Sequence, residues 1–264
     1  MNFKDYKLAL ITGATSPLGQ ALAKNLAKHS IPLCLTGRQQ SLLDKLKQTL
    51  SPFTQVETLT IDLLKENELQ QLTSWIDSHS PDLVINNAGM GLYGNALLHP
   101  IQDQLNILKL NANTLLEISL HAAKALKDHY KRGTIVNISS AADCLIYPTF
   151  SVYSASKAFV TSFSQSFDEE MKPYSIRILA SCPGSINTNF QKNASKGYFE
   201  DANSHAMSSD KAAQEILYQI QKDKKIHVFS KRTKILRYIL LRSLPKSLIF
   251  FILKKMINKR FKKN

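Results

Sequence analysis

Tyr153 and Lys157 are separated by four positions, about one turn of a helix, and Ser140 precedes the tyrosine by thirteen positions. An ammonium group one turn away from a phenol favours the phenolate, because opposite charges attract. A free phenol has a pKa of about 10, so acid–base work near neutrality requires a pKa lowered to about 7 in a partly desolvated cleft. The three residues therefore predict a tyrosine that exchanges a proton with a substrate.

The same spacing recurs at Tyr218 and Lys222, so the spacing alone is not specific. This second pair belongs to a predicted surface helix and is predicted to face solvent. The first pair follows a predicted buried strand, and small residues surround it in Ser154-Ala155-Ser156. These surroundings, rather than the spacing, favour a chemical role for Tyr153.

A run of small residues joins the first predicted strand to the first predicted helix, with the sequence Thr12-Gly13-Ala14-Thr15-Ser16-Pro17-Leu18-Gly19. Small residues let the backbone approach a pyrophosphate, and N–H groups at the start of a helix attract negative charge. Ser16 is the predicted N-cap, and Pro17 is the first helical residue, where proline is tolerated. The run predicts nucleotide binding, although it is equally typical of an ordinary turn.

Two amides and two small residues end another buried strand, in the order Asn86-Asn87-Ala88-Gly89. Paired amides of this kind either satisfy neighbouring backbone groups or brace one side of a cofactor cleft. The strand ends of a parallel sheet meet at one edge, so this segment is predicted to lie close to the glycine-containing turn.

Short apolar runs alternate with longer amphipathic segments along the first 230 residues, a pattern typical of βαβ units. The predicted strands are Leu8–Thr12, Pro32–Thr36, Gln55–Ile61, Leu83–Asn86, Thr134–Ile138, Ser175–Cys182 and Lys225–Phe229. The predicted helices are Leu18–His29, Gln40–Leu50, Glu66–Ser78, Leu105–Tyr130, Tyr153–Lys172 and Ser209–Asp223. The pattern predicts one α/β domain with a doubly wound, seven-stranded parallel sheet.

Taken in this order, the motifs resemble the short-chain dehydrogenase/reductase family over about residues 6 to 230. They are TGxxxxxG from Thr12, NNAG from Asn86, the serine with YxxxK, and Cys182-Pro183-Gly184 followed by Thr188. The resemblance implies a Rossmann-type fold in which residues 1–230 form an NADP-binding catalytic domain. It also implies hydride transfer between a nicotinamide cofactor and a ketone or secondary alcohol.

The resemblance implies roles for four catalytic residues. Tyr153 is the general acid/base, Lys157 lowers its pKa and holds the nicotinamide ribose, and Ser140 hydrogen-bonds the substrate oxygen. Asn111 matches the family asparagine that kinks its helix and positions a proton-relay water, although an ordinary polar helix residue fits the sequence equally well.

The resemblance also implies a cofactor-binding set, in which Arg38 favours NADP(H). No carboxylate follows the second strand in Thr36-Gly37-Arg38, and an arginine there can hold a 2′-phosphate, although such an arginine is often merely solvated. Pro17 departs from the family glycine and removes one N–H, so altered but retained cofactor binding is expected. The set is Thr12, Gly13, Thr15, Ser16, Leu18, Gly19, Arg38, Asp62, Leu63, Asn87, Ala88, Gly89, Tyr153, Lys157, Pro183, Gly184, Ile186 and Thr188.

The residues expected to line the substrate pocket are largely apolar, which predicts a lipid-like, acyl or steroid-like carbonyl or alcohol. They are Met90, Leu92, Tyr93, Leu145, Ile146, Tyr147, Phe150 and Phe190. The polar segment from Ile186 to Met207 has no clear periodicity and is expected to form a lid. The seven histidines are scattered, and no metal site is predicted.

The net charge of +14 is concentrated at one end of the chain. Residues 224–264 contain 14 of the 34 Lys and Arg residues and none of the 20 acids, so the preceding part is balanced at 20 against 20. After Pro245, apolar residues recur at helical spacing, which predicts a basic amphipathic helix within an extension over residues 231–264. Binding to an anionic membrane surface is favoured over packing on protein, and nucleic acid is not expected.

The compartment is predicted from two absences in the sequence. No run is apolar and long enough for a signal peptide or a membrane span, and the three cysteines form no ligand or disulfide pattern. A cytoplasmic protein, peripheral on the membrane through its extension, is expected. A homo-oligomer is a family expectation. The competing hypothesis is a non-catalytic dinucleotide-binding sensor or scaffold at a membrane surface.

Overall fold

The chain alternates strands and helices in the order that the sequence predicts. The computed structural model describes residues 3–144, 147–195, 206–230 and 234–235. The strands are β1 (Ala9–Ile11), β2 (Leu33–Gly37), β3 (Val56–Thr60), β4 (Leu83–Asn86), β5 (Gly133–Ile138), β6 (Ile176–Cys182) and β7 (Ile226–Val228). The helices are α1 (Pro17–Lys28), α2 (Gln40–Leu50), α3 (Glu66–His79), α4 (Ile101–Leu108), α5 (Leu115–Asp128), α6 (Ser151–Met171), α7 (Phe190–Ala194) and α8 (Ser209–Gln221).

The seven strands form one parallel sheet in the order β3-β2-β1-β4-β5-β6-β7. The predicted doubly wound, Rossmann-type sheet is therefore confirmed. The chain reverses its direction of winding between β1 and β4, where Ala9 pairs with Leu83 and Ile11 pairs with Ile85. Ligands of such sheets bind beyond the carboxyl ends of the strands at this reversal point.

Two helical layers bury the sheet. One apolar cluster joins one sheet face to α1, α2 and α8, and the other joins the opposite face to α3, α5 and α6. The central strands β1, β2, β4 and β5 are buried at every position, which explains their continuous apolar sequences. This packing holds the strand ends rigidly at the carboxyl edge.

The prediction of one continuous helix over Leu105–Tyr130 is wrong. The segment contains the end of α4, a π-helical stretch over Lys109–Thr114, and α5. The side chain of Asn111 in this stretch bonds the Met90 backbone in a neighbouring loop, and single π-helical turns within α-helices are frequent at functional sites. The helix ends at Asp128 because Tyr130 adopts a left-handed conformation with φ 54°.

The segment expected to form a lid is described at its two ends. Ile186 and Met207 form a parallel bridge, and α7 begins three residues after Asn187, at Phe190. Residues 196–205, and Leu145 and Ile146 of the expected pocket, lie outside the described residues. The predicted basic extension, 231–264, also lies outside them except at positions 234 and 235. Within the described ranges, no helix has the length and apolarity needed to cross a membrane.

Candidate active site

A cleft of about 920 Å³ opens along the carboxyl edge of the sheet, over the reversal point. Its lining includes every predicted catalytic and cofactor-binding residue except Thr12, Gly19 and Asn111. Of the described residues expected to line the substrate pocket, Leu92 does not line the cleft. The predicted residues from both halves of the chain are thus brought to one cleft.

The glycine-containing turn is shaped by close backbone contacts. Gly13 has a φ of +62°, and a Cβ atom there would lie 2.9 Å from the Ala88 Cα. A Cβ atom on Gly19 would lie 2.4 Å from the Gly13 carbonyl oxygen. These positions require glycine because a side chain would push β1, β4 and α1 apart. The role of Gly19 is therefore to let α1 pack closely against this turn.

Ser16 caps α1 as predicted, and Pro17 is the first helical residue. The Ser16 Oγ accepts the Gly19 N–H at 3.1 Å and the Asn87 Nδ2 group at 3.2 Å. Both acceptor positions of the hydroxyl are then used, so its proton can be donated to a group in the cleft. The serine thus offers a donor near the position where Pro17 offers none.

Thr12 joins the ends of β1 and β4 from behind the cleft. It is 1% exposed, and its Oγ1 accepts the Asn87 N–H at 3.0 Å and the Ala88 N–H at 3.1 Å. The Asn87 side-chain amide donates to the Thr12 carbonyl at 3.0 Å. Thr12 therefore positions the turn, while Asn87 and Ala88 face the cleft.

Arg38 lies at the exposed end of β2 and borders two spaces. One is the cleft, and the other is an adjoining polar pocket of about 500 Å³ that Asp62 and Lys65 also line. Asp62 Oδ1 accepts the Leu64 N–H at 3.1 Å, so this carboxylate stabilises its own turn. Lys65 is paired with Glu68 at 2.9 Å. Sequence reasoning missed Lys65, because its position at this pocket follows from the course of the chain after β3.

Asn111 is completely buried beneath the cleft. Its Oδ1 accepts the Met90 N–H at 2.9 Å, and its Nδ2 donates to the Met90 carbonyl at 2.8 Å and to Ser156 Oγ at 3.1 Å. A Cβ atom on Gly89 would lie 3.3 Å from Asn111 Oδ1 and 3.5 Å from Lys157 Nζ. Asn111 therefore holds the loop after β4 against α6, close to the lysine.

Tyr153 and Lys157 occupy one face of α6 and are 8% and 4% exposed. Lys157 Nζ donates to the Ile138 carbonyl at 2.8 Å and lies 5.8 Å from the centre of the Tyr153 ring. Burial lowers the pKa of Lys157 to about 8. Burial raises the pKa of Tyr153 to about 12, although its hydrogen bond with Ser140 acts in the opposite direction. The prediction that Lys157 lowers the pKa of Tyr153 is therefore wrong, because burial dominates and raises that pKa.

An aromatic wall, consisting of Tyr93, Phe150 and Phe190, surrounds the Tyr153 ring. Phe150 stacks on Tyr153 with ring centres 4.2 Å apart, and Tyr93 stacks on Phe150 at 3.9 Å. Phe190 approaches Tyr153 from α7 at 5.5 Å. Aromatic rings therefore form much of the described cleft lining around the phenol.

Three separate segments support the aromatic wall. The Tyr93 N–H donates to the Ala194 carbonyl at 2.7 Å, and the Gly94 N–H donates to the Thr149 carbonyl at 2.8 Å. A Cβ atom on Gly91 would lie 2.8 Å from Phe190 Cζ. The loop after β4 therefore connects α7 with the segment before α6.

The family model described as short chain dehydrogenase matches residues 7–198, well over half of the chain. The chain belongs to the short-chain dehydrogenase family. The predicted family membership is confirmed, and with it membership of a family of oxidoreductases.

Similar proteins of this family include reductases of long acyl substrates. The very-long-chain 3-oxoacyl-CoA reductase of Bos taurus is 30% identical, over 70% of this chain and 61% of its own length. The chain thus spans about three fifths of that relative. The dehydrogenase/reductase SDR family protein 7-like of Anopheles gambiae is 31% identical over 96% of this chain and 84% of its own length.

A solved short-chain dehydrogenase from Sphingobium yanoikuyae, in complex with NADPH, has a similar structure. Its TM-score is 0.82 at 25% identity, covering 90% of this chain and 96% of that one.

Proposed function

We propose that the chain reduces an apolar ketone with NADPH, and that Tyr153 donates the proton. The observation that carries this proposal is the convergence of Ser140, Tyr153 and Lys157 at the apolar end of one cleft. The glycine-containing turn lies at the other end of the same cleft. This distribution of residues along the cleft matches a ligand whose charged dinucleotide part lies at the turn and whose reacting part lies beside the tyrosine.

The residues at the nucleotide end fit NADP(H). Gly13 has no side chain, so the backbone of the turn is accessible to a pyrophosphate. The Ser16 hydroxyl has a proton to donate to the same group. Arg38 would hold the 2′-phosphate, with Lys65 as a second cation across the adjoining pocket. NADPH, when bound, supplies hydride to the carbonyl carbon. The NADPH complex of the similar dehydrogenase from Sphingobium yanoikuyae supports this cofactor.

Tyr153 is protonated at neutral pH, because its pKa of about 12 lies far above 7. It can therefore donate its Oη proton to the substrate oxygen as the carbonyl becomes an alcohol. Ser140 would hydrogen-bond the same oxygen. The phenolate left on Tyr153 would be stabilised by the Lys157 ammonium, since opposite charges attract at short range. Asn111 holds the backbone beside Lys157 and would position the lysine.

The substrate class follows from the aromatic wall. A long acyl chain or fused rings would bury apolar surface against Tyr93, Phe150 and Phe190. The bovine relative is a very-long-chain 3-oxoacyl-CoA reductase, so a 3-oxoacyl thioester is the first substrate class to test. A steroid-like ketone is the second.

The decisive experiment combines binding and turnover. NADPH should raise the melting temperature at a lower concentration than NADH, because a ligand of the folded state stabilises it by mass action. Arg38→Asp should remove this preference. NADPH-dependent reduction of 3-oxoacyl thioesters should follow, and Tyr153→Phe should abolish it with NADPH binding intact. NADPH binding without turnover of any tested carbonyl would instead support a dinucleotide-binding sensor.

The basic extension is proposed to hold the protein at an anionic membrane surface, in the cytoplasm. Its charge supports the proposal, since residues 231–264 contain 12 basic and no acidic residues. The full chain should co-sediment with vesicles containing phosphatidylserine at low salt and be released at high salt. Equal recovery in the supernatant with anionic and with neutral vesicles would contradict this proposal.

A further inference from the structure

Gly91 lies behind the aromatic wall and does not itself line the cleft. A Cβ atom on this residue would lie 2.8 Å from Phe190 Cζ and 3.1 Å from both Cε2 and Cζ of Phe150. The contact with Phe190 is closer than a Cβ atom tolerates, so one of the two groups would have to move. The backbone of Gly91 is not left-handed. The glycine is therefore required by the two rings rather than by a turn.

The backbone on both sides of Gly91 is held by hydrogen bonds. Asn111 Oδ1 accepts the Met90 N–H at 2.9 Å, and Asn111 Nδ2 donates to the Met90 carbonyl at 2.8 Å. On the other side, the Tyr93 N–H donates to the Ala194 carbonyl at 2.7 Å. A larger residue at position 91 would therefore displace a ring rather than the loop.

The two rings are held to different degrees. Phe150 is 4% exposed, and it stacks on Tyr93 with ring centres 3.9 Å apart and on Tyr153 at 4.2 Å. Phe190 is only partly buried and belongs to the five-residue helix α7. Its ring is tilted by 53° to that of Tyr153 at a distance of 5.5 Å. Phe190 is therefore the ring that a side chain at position 91 would displace.

Displacement of Phe190 would narrow the cleft. Both rings line the cleft and Gly91 does not, so a ring pushed away from Gly91 moves into the cleft. The space lost would lie beside Tyr153, next to the substrate oxygen in the proposed reduction. The position of the Phe190 ring thus limits the width of the group attached to the reacting carbonyl.

We propose that Gly91 is a specificity-determining residue, which widens the substrate end of the cleft by letting the Phe190 ring rest against the loop after β4. The favoured substrates are ketones whose carbonyl lies within an apolar chain or ring, rather than at its end beside a methyl group. The inference rests on the proposed function, because it takes Tyr153 as the proton donor to that carbonyl.

The test compares two isomeric ketones, dibutyl ketone and methyl heptyl ketone. They have the same formula and differ in the width of the groups beside the carbonyl. The ketone ratio is kcat/KM for dibutyl ketone divided by kcat/KM for methyl heptyl ketone, with saturating NADPH. Gly91→Ala should lower this ratio by about tenfold, since a change of one methylene in an apolar pocket alters kcat/KM by roughly 10–200-fold.

Phe190→Leu completes a double-mutant cycle with Gly91→Ala. Leucine has no Cζ atom, so the closest contact of the new Cβ is removed. In the Phe190→Leu background, Gly91→Ala should therefore change the ketone ratio by less than about twofold. Phe163→Leu provides the control background, because Phe163 stacks on rings along α6 but outside the cleft. There, Gly91→Ala should keep its full effect.

Two outcomes overturn the proposal. One is a ketone ratio that Gly91→Ala leaves unchanged, and the other is an equal effect of Gly91→Ala with and without Phe190→Leu. Should Gly91→Ala fail to fold, Phe190→Leu alone tests the same wall. It should raise the ketone ratio by about tenfold, and an unchanged ratio would contradict the proposal.

A second readout separates this proposal from the proposed function. NADPH and an alcohol form a complex in which both are already reduced, so no hydride is transferred. Calorimetry measures the affinity of the NADPH-loaded protein for dibutyl carbinol and for methyl heptyl carbinol. Weaker binding of dibutyl carbinol alone in Gly91→Ala supports the proposal even if no ketone is reduced. Equal affinities in wild type and variant contradict it, and so does a wild-type protein that binds neither alcohol.

Discussion

Two tyrosines in this protein precede a lysine by one helical turn, and their surroundings have little in common. Tyr153 on α6 is 8% exposed and contacts aromatic rings, whereas Tyr218 on α8 is 41% exposed. Lys157 donates to a buried carbonyl, whereas the Tyr218 phenol oxygen accepts a hydrogen bond from Lys224 Nζ at 3.2 Å. The second pair faces solvent, as predicted.

The comparison teaches that spacing alone does not create an acid–base pair. In the first pair, burial raises the pKa of Tyr153 to about 12 and lowers the pKa of Lys157 to about 8. These shifts make the phenol a proton donor and bring the lysine close to its titration range. In the exposed pair, water screens the charges, and neither side chain lines the cleft.

The largest effect is expected from removing one hydroxyl in each pair. Tyr153→Phe should lower kcat for carbonyl reduction by about 10³-fold, because a positioned general acid contributes roughly 10²–10⁴-fold. Tyr218→Phe should leave kcat within about twofold of wild type, since it lies outside the cleft. Steady-state assays with saturating NADPH compare the two variants. A similar loss in both would show that the proton does not come from Tyr153.

The second largest effect is expected from replacing Lys157, which should lower activity but raise the free energy of unfolding. Lys157→Met should lower kcat by about 100-fold, because the phenolate loses its nearby charge. The same variant should be more stable at pH 7 by roughly 2 kcal/mol, since it no longer buries an ammonium group.

The pH dependence of the free energy of unfolding tests whether the buried Lys157 ammonium destabilises the folded chain. The pKa of Lys157 is about 8 in the folded chain and 10.5 ordinarily. The unfolded chain binds more protons between these values, so wild-type stability should rise with pH from about 8 to 10.5. Urea unfolding should show this rise in wild type and in Lys222→Met, and lose it in Lys157→Met. A rise that survives in Lys157→Met would contradict the assignment.

The third effect tests whether burial makes the difference between the two tyrosines. Phe150→Leu removes the ring stacked on Tyr153 and should make that tyrosine more like Tyr218. We expect the pKa of Tyr153 to fall from about 12 towards 10, and kcat at pH 7 to fall about tenfold as the ring loses its support. Phe163→Leu is the matched control, because Phe163 also stacks on rings along α6 but outside the cleft. Unchanged ionisation in Phe150→Leu would mean that the aromatic wall does not desolvate the phenol.

Sequence reasoning predicts the strand-to-helix turn after β1 well because the cap of α1 is local. Ser16 accepts the Gly19 N–H and Pro17 is the first helical residue, whereas the close contact of Gly13 with Ala88 joins distant segments. The order of strands and helices is equally predictable from apolar periodicity. In the same way, Arg38 is placed by the end of β2 alone.

The substrate end could not be predicted to the same depth, because distant segments create it. The aromatic stack requires Tyr93 and Phe150, which belong to different loops, to meet in space. The π-helical stretch at Asn111 depends on bonds to Met90, twenty-one positions away. Burial of Asp143 likewise depends on Thr161 and Cys182. None of these contacts leaves a periodic pattern in the sequence.

The smallest effect is expected from the cation beside the exposed tyrosine. Lys224 Nζ lies 4.4 Å from the centre of the Tyr218 ring, a cation–π contact at a site open to water. Such contacts contribute roughly 0.5 kcal/mol when exposed, since the ammonium group keeps most of its hydration. Lys224→Met should therefore lower the free energy of unfolding by about 0.5 kcal/mol or less and leave kcat unchanged. Urea unfolding and the standard assay measure both quantities. A loss of activity in this variant would give the surroundings of Tyr218 a role that their exposure does not predict, and the contrast between the two tyrosines would no longer hold.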